Sequence, residues 1–329
     1  MRATLAGLAL MGLIGCDGGS DTDDKGGETD TTPADDTDDG GGGEDRVENE
    51  VALDVELDAA RFTCFTPAAD AASATWITQS VDPAKVVSMS IAGVVNDFDD
   101  EEPPDYVEYI EARLWYDDVS DGPPDVAELA DESGAVELTA PSCQPLSYLT
   151  YPDPALDKAR PTYKAHQVYG YSLGTFDAEF ISVSNDTYNV IPAILGVPIK
   201  DGTSIIAGTA FDCSREPDTL SEVDAGKIEG AQVVVRNLDG SKPDGVAVRY
   251  FVENFPDRDQ TSTSADGLWA AVNVPPGEIR VEMWGKVGGA DVLLGVTEFT
   301  SYPNSINIAN IFAGYDSVKY PDDCLVPPT

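Results

Sequence analysis

The chain has 329 residues, 60 of them acidic against 19 basic, with one histidine, five cysteines and a net charge of −41. That length accommodates about two domains, and an apolar share of 42% sits near the globular norm. So negative a chain argues against nucleic acid and anionic lipid as partners, and the lone His166 excludes any site needing two imidazoles.

Residues 1–15 carry one charge, Arg2, and then a run of twelve mostly apolar residues at 3–14. As a helix that run spans about 18 Å, short of a ~30 Å hydrocarbon core, so it reads as a secretory signal peptide. Its end, Leu13-Ile14-Gly15-Cys16, resembles the lipobox of bacterial lipoproteins. The resemblance implies cleavage before Cys16 and acyl chains such as palmitate on that residue. Each buried CH₂ of such a chain adds about 0.8 kcal/mol of membrane affinity. The membrane partner is therefore reached through lipid.

Residues 17–50 hold 14 acidic and two basic residues, no aromatic residue and one valine. Such a segment cannot bury enough apolar surface to offset its ordering entropy, so residues 16–50 read as a lipidated cysteine on a disordered acidic tether. Asp17 directly after Cys16 suits inner-membrane retention in enteric bacteria, whereas long acidic stretches mark surface export in other lineages. The length of the acidic run favours the outer membrane or cell surface.

From residue 51 onwards, short alternating runs dominate, at 86–95, 106–116, 136–139, 228–236, 246–252 and 279–284. Gly, Pro, Asp and Asn clusters separate them, which predicts an all-β sandwich architecture. The pattern also repeats. Ser90-Ile91-Ala92-Gly93 parallels Ile205-Ile206-Ala207-Gly208, and Tyr109 to Tyr116 parallels Lys227 to Val234. Ser133-Gly134 parallels Asp266-Gly267, Val168-Tyr169-Gly170 parallels Leu293-Leu294-Gly295, and Asn189-Val190-Ile191 parallels Asn307-Ile308-Ala309. Two divergent domains follow, 51–202 and 203–329, divided at the turn Lys200-Asp201-Gly202.

In the second copy Ile206-Ala207-Gly208, Gly230-Ala231, Asp266-Gly267-x-Trp269 and Val274-Pro275-Pro276-Gly277 together resemble the carboxypeptidase regulatory-like domain. That family implies a transthyretin-like, seven-stranded Greek-key sandwich and says little about ligand. The likeness spans about 80 residues and fades in the first copy, where Pro141-Ser142-Cys143 stands for Pro-Pro-Gly.

Without Cys16, the cysteines Cys64, Cys143, Cys213 and Cys324 form an even set, which in an exported chain predicts two disulfides. One bridge per domain, Cys64–Cys143 and Cys213–Cys324, is the expected pairing. Acidic loops offer Ca²⁺ candidates in Asp97, Asp99, Asp100 and Glu102, and again in Asp117, Asp118 and Asp121. Inter-strand loops cluster at sandwich ends, where Ca²⁺ sites are often built. The competing reading is a solvated acidic surface, with no cofactor.

Gly170-Tyr171-Ser172-Leu173-Gly174 matches the G-x-S-x-G pattern of serine hydrolases. That pattern needs a strand, a turn, a helix and a later histidine, whereas residues 175–184 alternate like a strand and His166 precedes Ser172. Trp115, Tyr116, Trp269 and Trp284 are candidates for glycan stacking; Trp269, just after a turn, is the better surface candidate, and core packing is the favoured reading. The reading is a non-catalytic envelope module that binds or assembles with a protein or glycan. A Ca²⁺- or glycan-dependent adhesin and an envelope serine hydrolase are the alternatives.

Overall fold

The computed structural model describes residues 49–97, 107–120, 122–214, 226–253 and 255–327. Cys16, Asp99, Asp100, Glu102, Asp121 and most of the acidic tether lie outside the described residues. The architecture is mostly β. The first half supplies β1 (Ser88–Asp97), β2 (Ile110–Tyr116), β3 (Val126–Leu129), β4 (Ala135–Pro141), β5 (Leu146–Pro152), β6 (Ala159–Arg160), β7 (Thr162–Gln167) and β8 (Thr175–Ser184). Its strands form a sheet ordered β4-β1-β8-β6 facing the run β7-β5-β2-β3. Alternate residues from both layers, including Ile91, Leu114, Leu138, Tyr148 and Phe180, meet in one buried core.

One helix, α1 (Asn185–Leu195), follows β8 directly. The Ser184 hydroxyl caps it by accepting from the Thr187 N–H at 3.0 Å, and Gly196 ends it in the left-handed region at φ 67°. Sequence periodicity misses this helix. Pro192 lies inside it and reads as a breaker, although the Ser184 cap and Gly196 stop flank it at the expected spacing.

The second half supplies β9 (Ser204–Phe211), β10 (Gln232–Asn237), β11 (Ala247–Val252), β12 (Phe255–Asp257), β13 (Leu268–Val274), β14 (Gly277–Val287), β15 (Ala290–Ser301), β16 (Ile306–Ile308) and β17 (Ile311–Phe312). A sheet β10-β14-β15 packs over β12-β11-β13-β9-β16. Ile206, Val233, Tyr250, Trp269, Val281 and Leu294 fill the space between. The outer face of the β9 sheet is apolar too, because Ile205, Phe251, Val272 and Ile306 lie beneath α1.

Strand β16 joins the halves. It pairs in parallel with β9 on one side and with β7 on the other, so one sheet runs unbroken from β12 to β3. The chain ends also cross the division at residue 202. Residues 49–68 lie against second-half strands, with Ala52 N–H on the Gln232 side chain, Leu57 and Phe62 in the second core, and Arg61 paired to Asp212 at 2.7 Å. The C-terminal residues return to the first half, where Tyr171 N–H donates to Asp323. The two end segments meet where Gln79 and Tyr320 exchange hydrogen bonds at 3.0 and 2.8 Å.

This crossing corrects the expected disulfide pairing. The bridges are Cys64–Cys213, with Cα atoms 6.5 Å apart, and Cys143–Cys324, at 5.3 Å. All four cysteines are bridged as anticipated, but the partner of each is set by where the end segments dock. Order along the chain does not determine it.

Candidate functional site

A cleft of about 20 Å³ opens at the seam between the halves. Strand alternation builds its wall. On β5, Tyr148 points into the first core, so its neighbour Ser147 faces the seam. On β7, Tyr163, Lys164 and Ala165 all border the cleft, and the Lys164 ammonium reaches to 5.7 Å from the Tyr148 ring centroid. Asn307 of β16 is in register with Tyr163 and so shares that face. From the second half, Phe299 and Tyr302 close the opposite wall.

Tyr163 and Tyr302 stack with centroids 4.3 Å apart and planes 13° from parallel. The Tyr302 hydroxyl donates to the Val119 carbonyl at 3.1 Å. Burial, reinforced by Tyr302 and Tyr151, pushes the Tyr163 hydroxyl up to about 12, so it stays protonated at neutral pH.

His166, the last but one residue of β7, follows Ala165 of the cleft wall. The β5–β7 register slips by one between Leu146 and Tyr148, and His166 takes up the extra residue in the left-handed region at φ 55°. The bulge re-aims the ring across the seam. Its Nε2 lies 2.6 Å from the Glu298 carbonyl oxygen of β15, so Nε2 carries the proton. Its Nδ1 is 3.5 Å from an Asp118 carboxylate oxygen. Burial raises the Asp118 carboxyl above the usual range; His166 pulls it down and Asp117 adds to the rise.

These contacts bear on the serine-hydrolase pattern. Both His166 nitrogens face Glu298 and Asp118, while the Ser172 hydroxyl accepts from the Gly174 N–H at 3.1 Å. No helix follows Ser172, since residues 175–184 form β8. The elbow geometry is therefore absent.

Of the first acidic loop only Asp97 is described, and one of its carboxylate oxygens accepts the Ser184 N–H at 3.1 Å beside the α1 cap. Asp117 and Asp118 adjoin the seam. Trp115 and Trp269 are core residues, 6% and 1% exposed, so neither offers a stacking face. Half-buried Trp284 donates its indole N–H to Glu282 at 2.9 Å. The exposed aromatic side chains among the described residues are Tyr109, Tyr116 and Phe255; near the seam the half-buried tyrosines are the stacked Tyr163–Tyr302 pair and Tyr151, which lies beneath the Arg113 guanidinium at 3.8 Å. Sequence reasoning missed the tyrosines because only strand register brings them together. Among the described residues the tightest group of metal-ligand types is Cys143, Asp323 and Cys324, whose sulfurs are spent on a disulfide. No helix among them is long and apolar enough to cross a membrane.

No protein-family model and no curated protein matches the sequence. Among solved structures, the chain is similar to the Bacillus anthracis TIE protein at 11% identity, over 72% of this chain and 35% of that one, with a TM-score of 0.21. A streptococcal ancillary pilin gives 10% identity over 69% of this chain and 62% of that one, with a TM-score of 0.21. GBS52, the minor pilin of Streptococcus agalactiae, gives 10% identity over 74% and 99%, with a TM-score of 0.19. The chain thus spans about a third of the first of these proteins and under two thirds of the second.

Proposed function

We propose that the protein is a lipid-anchored bacterial envelope lipoprotein. In this reading Cys16 carries the lipid, residues 17–48 form an acidic tether, shorter by two residues than the composition suggests because Asn49 is buried against Val235 and Glu50 pairs with Lys242, and the β-sandwich body is a non-catalytic binding or assembly module at the outer membrane or cell surface. The junction Leu13-Ile14-Gly15-Cys16, followed at once by a 34-residue segment with 14 acidic residues and no aromatic residue, carries the reading. The sandwich halves are taken as divergent transthyretin-like domains, the second of carboxypeptidase regulatory-like type. Residues 51–329 hold 46 acidic and 16 basic residues, so the body itself is acidic and favours neutral or cationic partners.

The test is Cys16→Ser expressed in a bacterial host. The native chain is expected in the detergent phase and labelled by a fatty-acid analogue, and the variant in the soluble fraction and unlabelled. Equal partitioning of both would overturn the anchor. Protease shaving of intact cells separates surface display from an inward-facing location.

The acidic loops support a second reading, a Ca²⁺-dependent adhesin. Excess Ca²⁺ should then raise Tm relative to chelator at constant ionic strength. An unchanged Tm removes that reading.

A further inference from the structure

The two disulfides differ in their access to solvent. Cys143 and Cys324 are 2% and 0% exposed, so their bridge is sealed inside the protein. The other bridge joins exposed Cys64 to half-buried Cys213. Thiol exchange requires a sulfur that an incoming thiolate can reach, so solvent access separates a structural bridge from an exchangeable one.

Contacts other than the bridge also hold the chain around Cys64. Before it, Phe62 lies in the second core, and the Arg61 guanidinium donates to the Asp212 carboxylate at 2.7 Å and to the Lys227 carbonyl at 2.6 Å. After it, Ala68 and Leu293 exchange backbone hydrogen bonds at 3.4 and 2.7 Å. The Cys213 side suits a released sulfur. Its Sγ lies 3.5 Å from the Arg61 carbonyl oxygen, an acceptor for a thiol at that position. The buried Lys319 ammonium donates to the Cys213 carbonyl at 3.2 Å, which sets a positive charge on the residue that would carry the departing thiolate. Phe211, Phe312 and Tyr315 pack against the same cysteine.

We propose that the Cys64–Cys213 bridge is a reversible modification site that takes up a small thiol as a mixed disulfide on Cys64. The incoming thiol loses its proton to water, and its thiolate attacks Cys64 Sγ. The new S–S bond forms as the Cys64–Cys213 bond breaks. The electron pair leaves on Cys213, which takes a proton from water. One disulfide replaces another, so the step needs no oxidant or reductant beyond the thiol itself. Attack by the Cys213 thiolate on Cys64 reverses it, expelling the thiol and restoring the bridge. The site adds covalent chemistry to the binding-module reading and does not depend on the lipid anchor.

The probe is reduced glutathione, added to the folded full chain and quenched with acid. Free thiols are then alkylated and the peptides mapped by mass spectrometry. Glutathione on Cys64 with alkylated Cys213 is expected, forming about tenfold or more faster than Cys143–Cys324 opens. Opening of both bridges at equal rates, opening only in urea, or glutathione on Cys213 in place of Cys64 would each overturn the proposal. Cys213→Ser removes the thiol that expels the adduct. With oxidised glutathione this variant should accumulate the mixed disulfide on Cys64, whereas Cys64→Ser, left with the half-buried sulfur, should react about tenfold more slowly. Equal rates in the two variants, both shown to be folded by near-UV circular dichroism, would also defeat it. Failure here leaves the Cys16 test untouched, and the reverse also holds.

Discussion

The two halves are built around the same central strand and differ at their margins. In the first half β1 pairs antiparallel with β4 and parallel with β8; in the second, β9 pairs antiparallel with β13 and parallel with β16 and then β17. Each central strand carries a glycine that lets the parallel neighbour come close. A Cβ on Gly93 would lie 2.0 Å from the Ala178 carbonyl oxygen, and one on Gly208 would lie 1.9 Å from that of Ala309. The margins then diverge. In the first half β3 extends β2 with three of its four residues exposed, whereas in the second β11 extends β13 and its Phe251 packs with α1. The long β8 corresponds to a broken pair, β16 and β17, and the free side of β16 takes up β7 of the other half. The two halves thus share a central strand arrangement, differ at their edges, and are joined through a single sheet.

The largest expected effect comes from the covalent ties that hold the chain ends to opposite halves. Cys64→Ser/Cys213→Ser removes a bridge across a sequence separation of 149, and Cys143→Ser/Cys324→Ser one across 181. Each should cost about 5 kcal/mol in the chain-entropy account, measured by urea denaturation. Recovery of a Cys64–Cys143 peptide in a non-reducing map would break the crossed arrangement. Next come the two glycines. Gly93→Ala and Gly208→Ala should each destabilise by about 3 kcal/mol or more, since a backbone carbonyl must move. If one were tolerated and the other not, the central strands would not be equivalent. Smaller again is Tyr250→Phe. The Tyr250 hydroxyl accepts the buried Val233 N–H at 2.9 Å, and its loss should cost about 1–3 kcal/mol.

Much of the centre was legible in sequence. The runs at 86–95, 228–236, 246–252 and 279–284 fall on β1, β10, β11 and β14. The parallel between Ser133-Gly134 and Asp266-Gly267 is physical, with Gly134 at φ 78° and Gly267 at φ 66°. Where pattern meets topology, legibility ends. Asn189 belongs to α1 and Asn307 to β16, so that part of the repeat is a coincidence of letters. Cysteine pairing depended on end segments whose docking leaves no periodic signal. The site residues Ser147, Tyr163 and Asn307 come from three strands, and Tyr302 lies beyond a fourth. None has a motif, and only their shared face makes them a cleft.

The finest contrast lies at the free edge of matching strands. The outer edge of β2 is paired by a strand, β3. The outer edge of β10 is paired by side chains: Asn49 accepts the Val235 N–H at 2.6 Å and donates to the Val235 carbonyl at 2.8 Å, next to the Tyr250 bond at Val233. An amide side chain so placed supplies the donor and acceptor of one strand residue and blocks edge-to-edge association. Asn49→Ala should therefore cost only about 1–2 kcal/mol, but it should also free the Val235 amide. Hydrogen exchange at Val235 and over residues 50–53 should speed up together, while exchange in β2 stays fixed. Exchange at Val235 that did not change would mean that the edge is sealed by something other than Asn49.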